Sequence, residues 1–217
     1  MKKIAAVYTV PSVYASFPAL VRETLGGDTI VVNTVDEYLA SDPAEKGEFT
    51  ATNLSRLHAI LRNAEMTGPD AIVVTCSTLS PPVEKLRPLI SVPLLTIDGA
   101  MLRLAVELGA RMAIVATAQS TVGPAKEGLA REAEKAGKTL DLEVMVLDDA
   151  YAAIKRMDKE THDRLVKEAV KGIAGRDVVL LAQASMAHLE EDVERICGIR
   201  TLSSPKLCME ELKKTVQ

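Results

Sequence analysis

One order of short apolar runs occurs twice along the chain, and this repetition constrains the fold more than any other feature. Ile4-Ala5-Ala6-Val7-Tyr8-Thr9 returns 108 positions later as Met112-Ala113-Ile114-Val115-Ala116-Thr117. Asp70-Ala71-Ile72-Val73-Val74-Thr75 returns 107 positions later as Asp177-Val178-Val179-Leu180-Leu181-Ala182. The run from Val92 to Thr96 returns, again after 107 positions, from Ile199 to Ser203. Leu142 to Val146 stands where a counterpart of the β-branched run Thr29 to Val32 is required. Segments that share nearly one offset point to duplication of a single supersecondary unit.

Each run is short, continuous and bounded by turn residues, as a strand buried on both faces should be. Between the runs the pattern turns helical. Residues 12–25 predict a helix stopped by Gly26-Gly27. Residues 46–67 predict one long helix, with Leu54, Leu57, Ile60 and Leu61 at helical spacing and Thr67-Gly68-Pro69 at its end. Pro81-Pro82 predicts the start of a short helix, because proline is tolerated in a first turn. The charged stretch 154–172 reads as the solvated face of a helix. Strands alternating with helices give an α/β fold built on parallel sheets. The expectation is two pseudo-symmetric flavodoxin-like lobes, each with a four-stranded parallel sheet. Residues 1–97 with a C-terminal helix 205–217 form the first, and residues 98–204 the second. In such sheets ligands bind beyond the C-terminal strand ends, so the active site is expected in a cleft between the lobes.

Composition narrows the function classes. The 217 residues are 47% hydrophobic and 26% charged, with a net charge of −4. Basic residues form no cluster, so neither nucleic acid nor a membrane is an expected partner. The apolar run after Lys2-Lys3 reaches Thr9-Val10-Pro11 too soon for a secretory leader. Three cysteines, Cys76, Cys197 and Cys208, lack metal-ligand spacing, so no metal is expected. Sparse, odd cysteine fits a reducing compartment, and a cytoplasmic location is expected. Four tyrosines, two phenylalanines and no tryptophan leave little for stacking platforms.

The chemistry centres on Cys76-Ser77-Thr78, which follows a buried run and precedes the helix near Pro81. Backbone N–H groups and the start of a helix at that place favour an anion. Ser77 and Thr78 add hydroxyl donors. A thiol beside such a cradle suits proton transfer next to a carboxylate whose enediolate needs stabilising; nucleophilic use of the thiolate is the competing chemistry. Thr9, Pro11 and Ser12 follow the first run, and Thr117, Ala118 and Gln119 follow its repeat; both turns are candidate carboxylate binders. Gln183, Ala184 and Ser185 occupy the repeat's version of Cys76, Ser77 and Thr78. Asp98 reads as a helix N-cap. His188 falls in the helix after Gln183, His162 precedes a helix capped by Thr161 or Asp163, and His58 sits among Leu54, Leu57 and Leu61. Cys197 and Cys208 read as structural.

The Val73-Val74-Thr75-Cys76-Ser77-Thr78 segment, its partner at Asp177 and the Ala116-Thr117-Ala118 turn resemble the aspartate/glutamate racemase superfamily. That group includes amino-acid and hydantoin racemases, maleate isomerase and arylmalonate decarboxylase. The resemblance spans essentially the whole chain and implies a cofactor-independent enzyme with Cys76 as its acid/base. It implies two cysteines facing the substrate in the racemases and the isomerase, and one in the decarboxylase. Here the second position holds Gln183, whose amide does not exchange a proton as a thiol does. The expected activity is racemase- or isomerase-type proton transfer on a small carboxylate, an amino acid or dicarboxylate. A decarboxylase or lyase with Cys76 as sole proton donor is the alternative, and an inactive carboxylate-binding protein the third. A homodimer is the expected assembly.

Overall fold

The computed structural model describes the backbone of residues 1–217 and every side chain but that of Ser12. By contact density the chain divides into two compact units: Met1–Gly99 with Lys206–Gln217, and Ala100–Pro205. Each is described by itself.

In unit 1, β1 (Lys3–Tyr8), β2 (Ile30–Val35), β3 (Ala71–Val74) and β4 (Leu94–Thr96) form one sheet. Its order is β2-β1-β3-β4 and every pairing is parallel. The two inner strands are buried on both faces, which explains their unbroken apolar runs. Period-two alternation then sorts their side chains. Ala5, Val7, Ile72 and Val74 pack with Leu39, Leu57, Leu61, Leu79 and Val83, from α2 (Tyr38–Lys46), α3 (Ala51–Glu65) and the turn into α4 (Ser80–Leu86). Ile4, Ala6, Tyr8, Ala71 and Val73 face the other way, onto Phe17 and Val21 of α1 (Pro11–Leu25).

Unit 2 repeats the plan. Strands β5 (Arg111–Ala116), β6 (Asp141–Val146), β7 (Val178–Leu181) and β8 (Thr201–Ser203) pair in parallel in the order β6-β5-β7-β8. Helix α5 (Gly99–Leu108) leads into β5, and α6 (Val122–Ala136) follows it. Ala113, Val115, Val179 and Leu181 pack on Ala150 of α7 (Asp148–Lys155), Val166 of α8 (Lys159–Ala169) and Val193 of α9 (Glu190–Cys197). The closing helix α10 (Ser204–Thr215) puts Cys208, Met209 and Leu212 into the unit 1 core. The expected α/β class with two four-stranded parallel sheets is therefore the observed one.

The repeated aspartates have a structural job. Asp70 accepts a hydrogen bond from the Lys3 backbone N–H at 2.7 Å. Asp177 accepts from the Ala110 and Arg111 backbone at 3.0 and 2.9 Å and pairs with the Arg111 guanidinium at 2.6 Å. Each aspartate thus ties the start of its strand to the start of the strand beside it. These bonds, the guanidinium first, hold the Asp177 carboxyl well below the usual carboxylate range.

Two local expectations need correction. The helix expected over residues 46–67 covers only Ala51–Glu65, and Lys46 instead closes the preceding helix. α2 ends where Gly47 turns left-handed at φ 74° and its N–H returns to the Pro43 carbonyl. α3 starts afresh with a capping box, in which Asn53 N–H donates to the Thr50 hydroxyl and the Asn53 side chain accepts from Thr50 N–H. The charged stretch 154–172 is likewise broken. Met157 adopts φ 63° between α7 and α8, and Asp158 caps α8, the role expected of Thr161 or Asp163. The short helix expected to start at Pro81-Pro82 is present: it begins at Ser80, with both prolines in its first turn, after a 3-10 turn over Ser77–Leu79.

Candidate active site

The two strand-exit turns of each unit share one backbone design. In unit 1, Thr75 N–H bonds to the Val7 carbonyl at 3.0 Å, and Leu79 N–H closes the following turn onto the Cys76 carbonyl at 3.0 Å. In unit 2, Ala182 N–H bonds to the Val115 carbonyl at 2.9 Å, and Met186 N–H closes onto the Gln183 carbonyl at 3.0 Å. Cys76 and Gln183 are both extended, at φ −111°, ψ 114° and φ −131°, ψ 133°. The register pairs Val7 with Val74, so Thr9 and Cys76 stand two residues past the last shared pair. Val115 pairs with Leu181, which gives Thr117 and Gln183 the same relation. The duplication read from sequence is thus repeated down to single hydrogen bonds.

The side chains then differ. Cys76 is half-buried against the Leu57–Leu61 core, and its Sγ lies 3.0 Å from the Thr78 hydroxyl. Thr75 spends its hydroxyl on the Val7 carbonyl at 3.1 Å and is not available to a ligand. Thr9 is 2% exposed, and its hydroxyl has no hydrogen-bond partner among the described residues. A buried hydroxyl without a partner costs free energy that a bound acceptor returns. Ser77 is half-buried beside Cys76, and Pro11 is exposed at the start of α1. The Ser12 side chain lies outside the described residues.

In unit 2 the equivalent donors are already engaged. Gln183 Oε1 accepts from Thr117 N–H at 2.6 Å, the Thr117 hydroxyl at 3.0 Å and Ala118 N–H at 3.2 Å. Backbone N–H groups only donate, so the amide oxygen, not its nitrogen, faces them. Ala184 is half-buried, while Gln119 and Ser185 are exposed.

The chain fits one family from end to end. The model of the Asp/Glu/hydantoin racemase family matches residues 8–212.

The chain belongs to the Asp/Glu/hydantoin racemase family.

Solved structures agree at the level of fold. An allantoin racemase from Klebsiella pneumoniae superposes with a TM-score of 0.69 at 16% identity, covering 100% of this chain and 88% of that one. An aspartate racemase from Picrophilus torridus gives 0.71 at 13% identity, covering 100% and 94%. Arylmalonate decarboxylase gives 0.59 at 14% identity, covering 100% and 93%. No curated protein sequence matches the chain. Racemases and a decarboxylase therefore share this family fold, and no helix among the described residues is long and apolar enough to cross a membrane.

Two polar groupings near the strand exits escaped the sequence reading. Ser80 and Asp98 are both buried, and the Ser80 hydroxyl donates to the Asp98 carboxylate at 2.5 Å. The place of Asp98 before a helix gives no hint of this partner 18 residues back. The second is a carboxylate shared by two histidines. His162 Nδ1 lies 2.7 Å from Asp163, and His188 Nε2 lies 2.9 Å from the same carboxylate. His162 is 1% exposed and its Nε2 is unpartnered. Burial works to raise the Asp163 carboxyl, but the hydrogen bonds and charges of the two histidines outweigh it and hold the group low. Only the adjacency of His162 and Asp163 was visible in sequence. Cys197 donates to the Val193 carbonyl, and Cys208 is buried in the core.

Proposed function

We propose that the protein is an enzyme that moves a proton at the α-carbon of a small carboxylate, with Cys76 as acid/base and no cofactor. The observation that carries this is the pairing of a half-buried thiol with an unpartnered buried hydroxyl. Cys76 and Thr9 occupy corresponding places at the exits of adjacent parallel strands, and Thr9 is a donor awaiting an acceptor. A carboxylate seated on the Thr9 turn would have its α-carbon near the thiol. As a proton leaves that carbon, charge grows on the carboxylate oxygens, where the Thr9 hydroxyl and turn N–H groups stabilise it. The Thr78 hydroxyl, 3.0 Å from Sγ, orients the thiol and donates to it whenever it is ionised. Family membership supports an enzyme of the racemase and decarboxylase kind.

Gln183 favours a one-thiol version of this chemistry. It stands where the second acid would, and an amide supplies no proton at neutral pH. Proton delivery from one side suits decarboxylation or isomerisation. In decarboxylation the C–C bond to the departing carboxylate breaks, its electron pair forms the enediolate, CO₂ leaves, and Cys76 protonates the α-carbon.

The test is solvent-deuterium incorporation by the wild type and Cys76→Ser over a panel of amino, hydroxy, malonic and unsaturated dicarboxylic acids. Incorporation at the α-carbon that Cys76→Ser lowers by about 10²–10⁴-fold supports the reading, this being the usual contribution of a positioned acid/base. Racemic product would favour two-sided exchange, and one-handed product with CO₂ release the one-thiol form. Turnover that survives Cys76→Ser refutes the role of Cys76.

A further inference from the structure

We propose that Gln183 is a specificity-determining residue that closes the second strand-exit turn to carboxylates by occupying it from within. The inference rests on the reading above only in taking the Thr9 turn as a carboxylate seat. Two turns of one backbone design are present, and their occupancy is opposite. At Thr9 the buried hydroxyl is unpartnered among the described residues. At Thr117 the hydroxyl, its own N–H and the N–H of Ala118 converge on one oxygen, Gln183 Oε1, at 3.0, 2.6 and 3.2 Å. Two backbone N–H groups and a hydroxyl aimed at one point form an oxyanion cradle.

The Gln183 amide reaches that cradle because its extended backbone sets it two residues past the β5–β7 pairing, opposite Thr117. It is a neutral acceptor of carboxylate-like geometry, so it satisfies the donors without adding charge. A carboxylate arriving from solvent would have to displace three short hydrogen bonds that are intramolecular and preorganised. What the turn still offers is the Gln183 Nε2 group, which makes no hydrogen bond among the described residues and suits a neutral acceptor such as a carbonyl or hydroxyl oxygen. A cysteine at this position has no oxygen to place in the cradle. At the equivalent place Cys76 turns to Thr78 instead. Substituting glutamine therefore removes an acid and fills a subsite in one change, and the ligand class of this turn moves from carboxylate to neutral polar group.

Backbone amide NMR reads the cradle directly, without turnover. Acetate is titrated against a chloride control into the wild type and Gln183→Gly, following the Thr117 and Ala118 signals. These signals should stay unmoved in the wild type and shift saturably in Gln183→Gly, with at least tenfold tighter acetate binding. Gln183→Glu keeps the side-chain shape and places a carboxylate in the cradle. Its new carboxyl should titrate at least one pH unit below the ordinary glutamate value of about 4.3. Saturable wild-type shifts at Thr117 and Ala118 overturn the proposal, as does a Gln183→Gly that folds and binds no acetate there. An unshifted carboxyl in Gln183→Glu also overturns it, and that variant decides alone if Gln183→Gly does not fold. Acetate shifts at Thr9 and Val10 report on the first turn. Their absence counts against the proposed function and leaves the Gln183 result standing.

Discussion

Replacing Gln183 with leucine keeps most of the side-chain bulk and deletes the one oxygen that three donors share. Thr117 is 1% exposed, so its N–H and hydroxyl lose their acceptor where water hardly reaches. Ala118 is half-buried, and its N–H can be rehydrated. A hydrogen bond is worth about 0.5–1.5 kcal/mol net, and a buried donor left unmade costs about 1–3 kcal/mol. Counting the Thr117 N–H as stranded at about 1–3 kcal/mol, its hydroxyl, which can rotate to another acceptor, at about 1 kcal/mol, and Ala118 as rehydrated, unit 2 should lose about 2–4 kcal/mol. The assay is native-state amide exchange, because two compact units need not unfold in one step. With about 1.4 kcal/mol per factor of ten, exchange at Thr117 and Ala118 should quicken by about 30- to 1000-fold. The equivalent change in unit 1 is the control. Among the described residues Cys76 holds only the Thr78 hydroxyl, so Cys76→Ala should cost about 1 kcal/mol, chiefly in lost packing, and exchange near Thr9 should change by less than tenfold. A loss below about 0.5 kcal/mol for Gln183→Leu, smaller than the net worth of one such bond, would refute the account of the filled cradle.

Other perturbations test the scaffold. Gly109→Ala would place its Cβ 2.3 Å from the Cβ of Asp177; overpacking of this kind costs about 1–3 kcal/mol, readable by urea denaturation, while Gly123→Ala, with nothing within 4 Å, should be nearly silent. Thr50→Ala removes the α3 cap and should cost about 1 kcal/mol, measured by the midpoint of thermal unfolding. Asp163 has its carboxyl held below the ordinary value by His162 and His188 against the opposing effect of burial. Its contribution is therefore complete above the unfolded value of about 3.9 and is lost as pH falls below that through the folded value. Asp163→Asn should flatten the acid limb of a stability–pH profile below about pH 4.

The sequence by itself determined the periodicities. Inner strands buried on both faces must be continuous apolar runs, so Ile4–Tyr8, Ala71–Val74 and their repeats were legible with their order and their duplication. The turns after them were legible too, because a parallel sheet leaves its functional groups at strand exits. Edge strands carried less signal: β2 is partly exposed and includes Asn33 and Thr34, so only its first residues stood out. The helix start expected at residue 46 came too early, since the break at Gly47 lies in a backbone angle and the true start in the Thr50 cap. Tertiary structure alone decided which polar groups meet. The Gln183 oxygen on the Thr117 turn spans 66 residues, and the Asp163 carboxylate between two histidines spans 25 on one side. Sequence set Gln183 at the repeat's version of the Cys76 position. Only the folded chain shows that its oxygen also fills the cradle beside it, because strand register, not sequence spacing, sets what a side chain can reach.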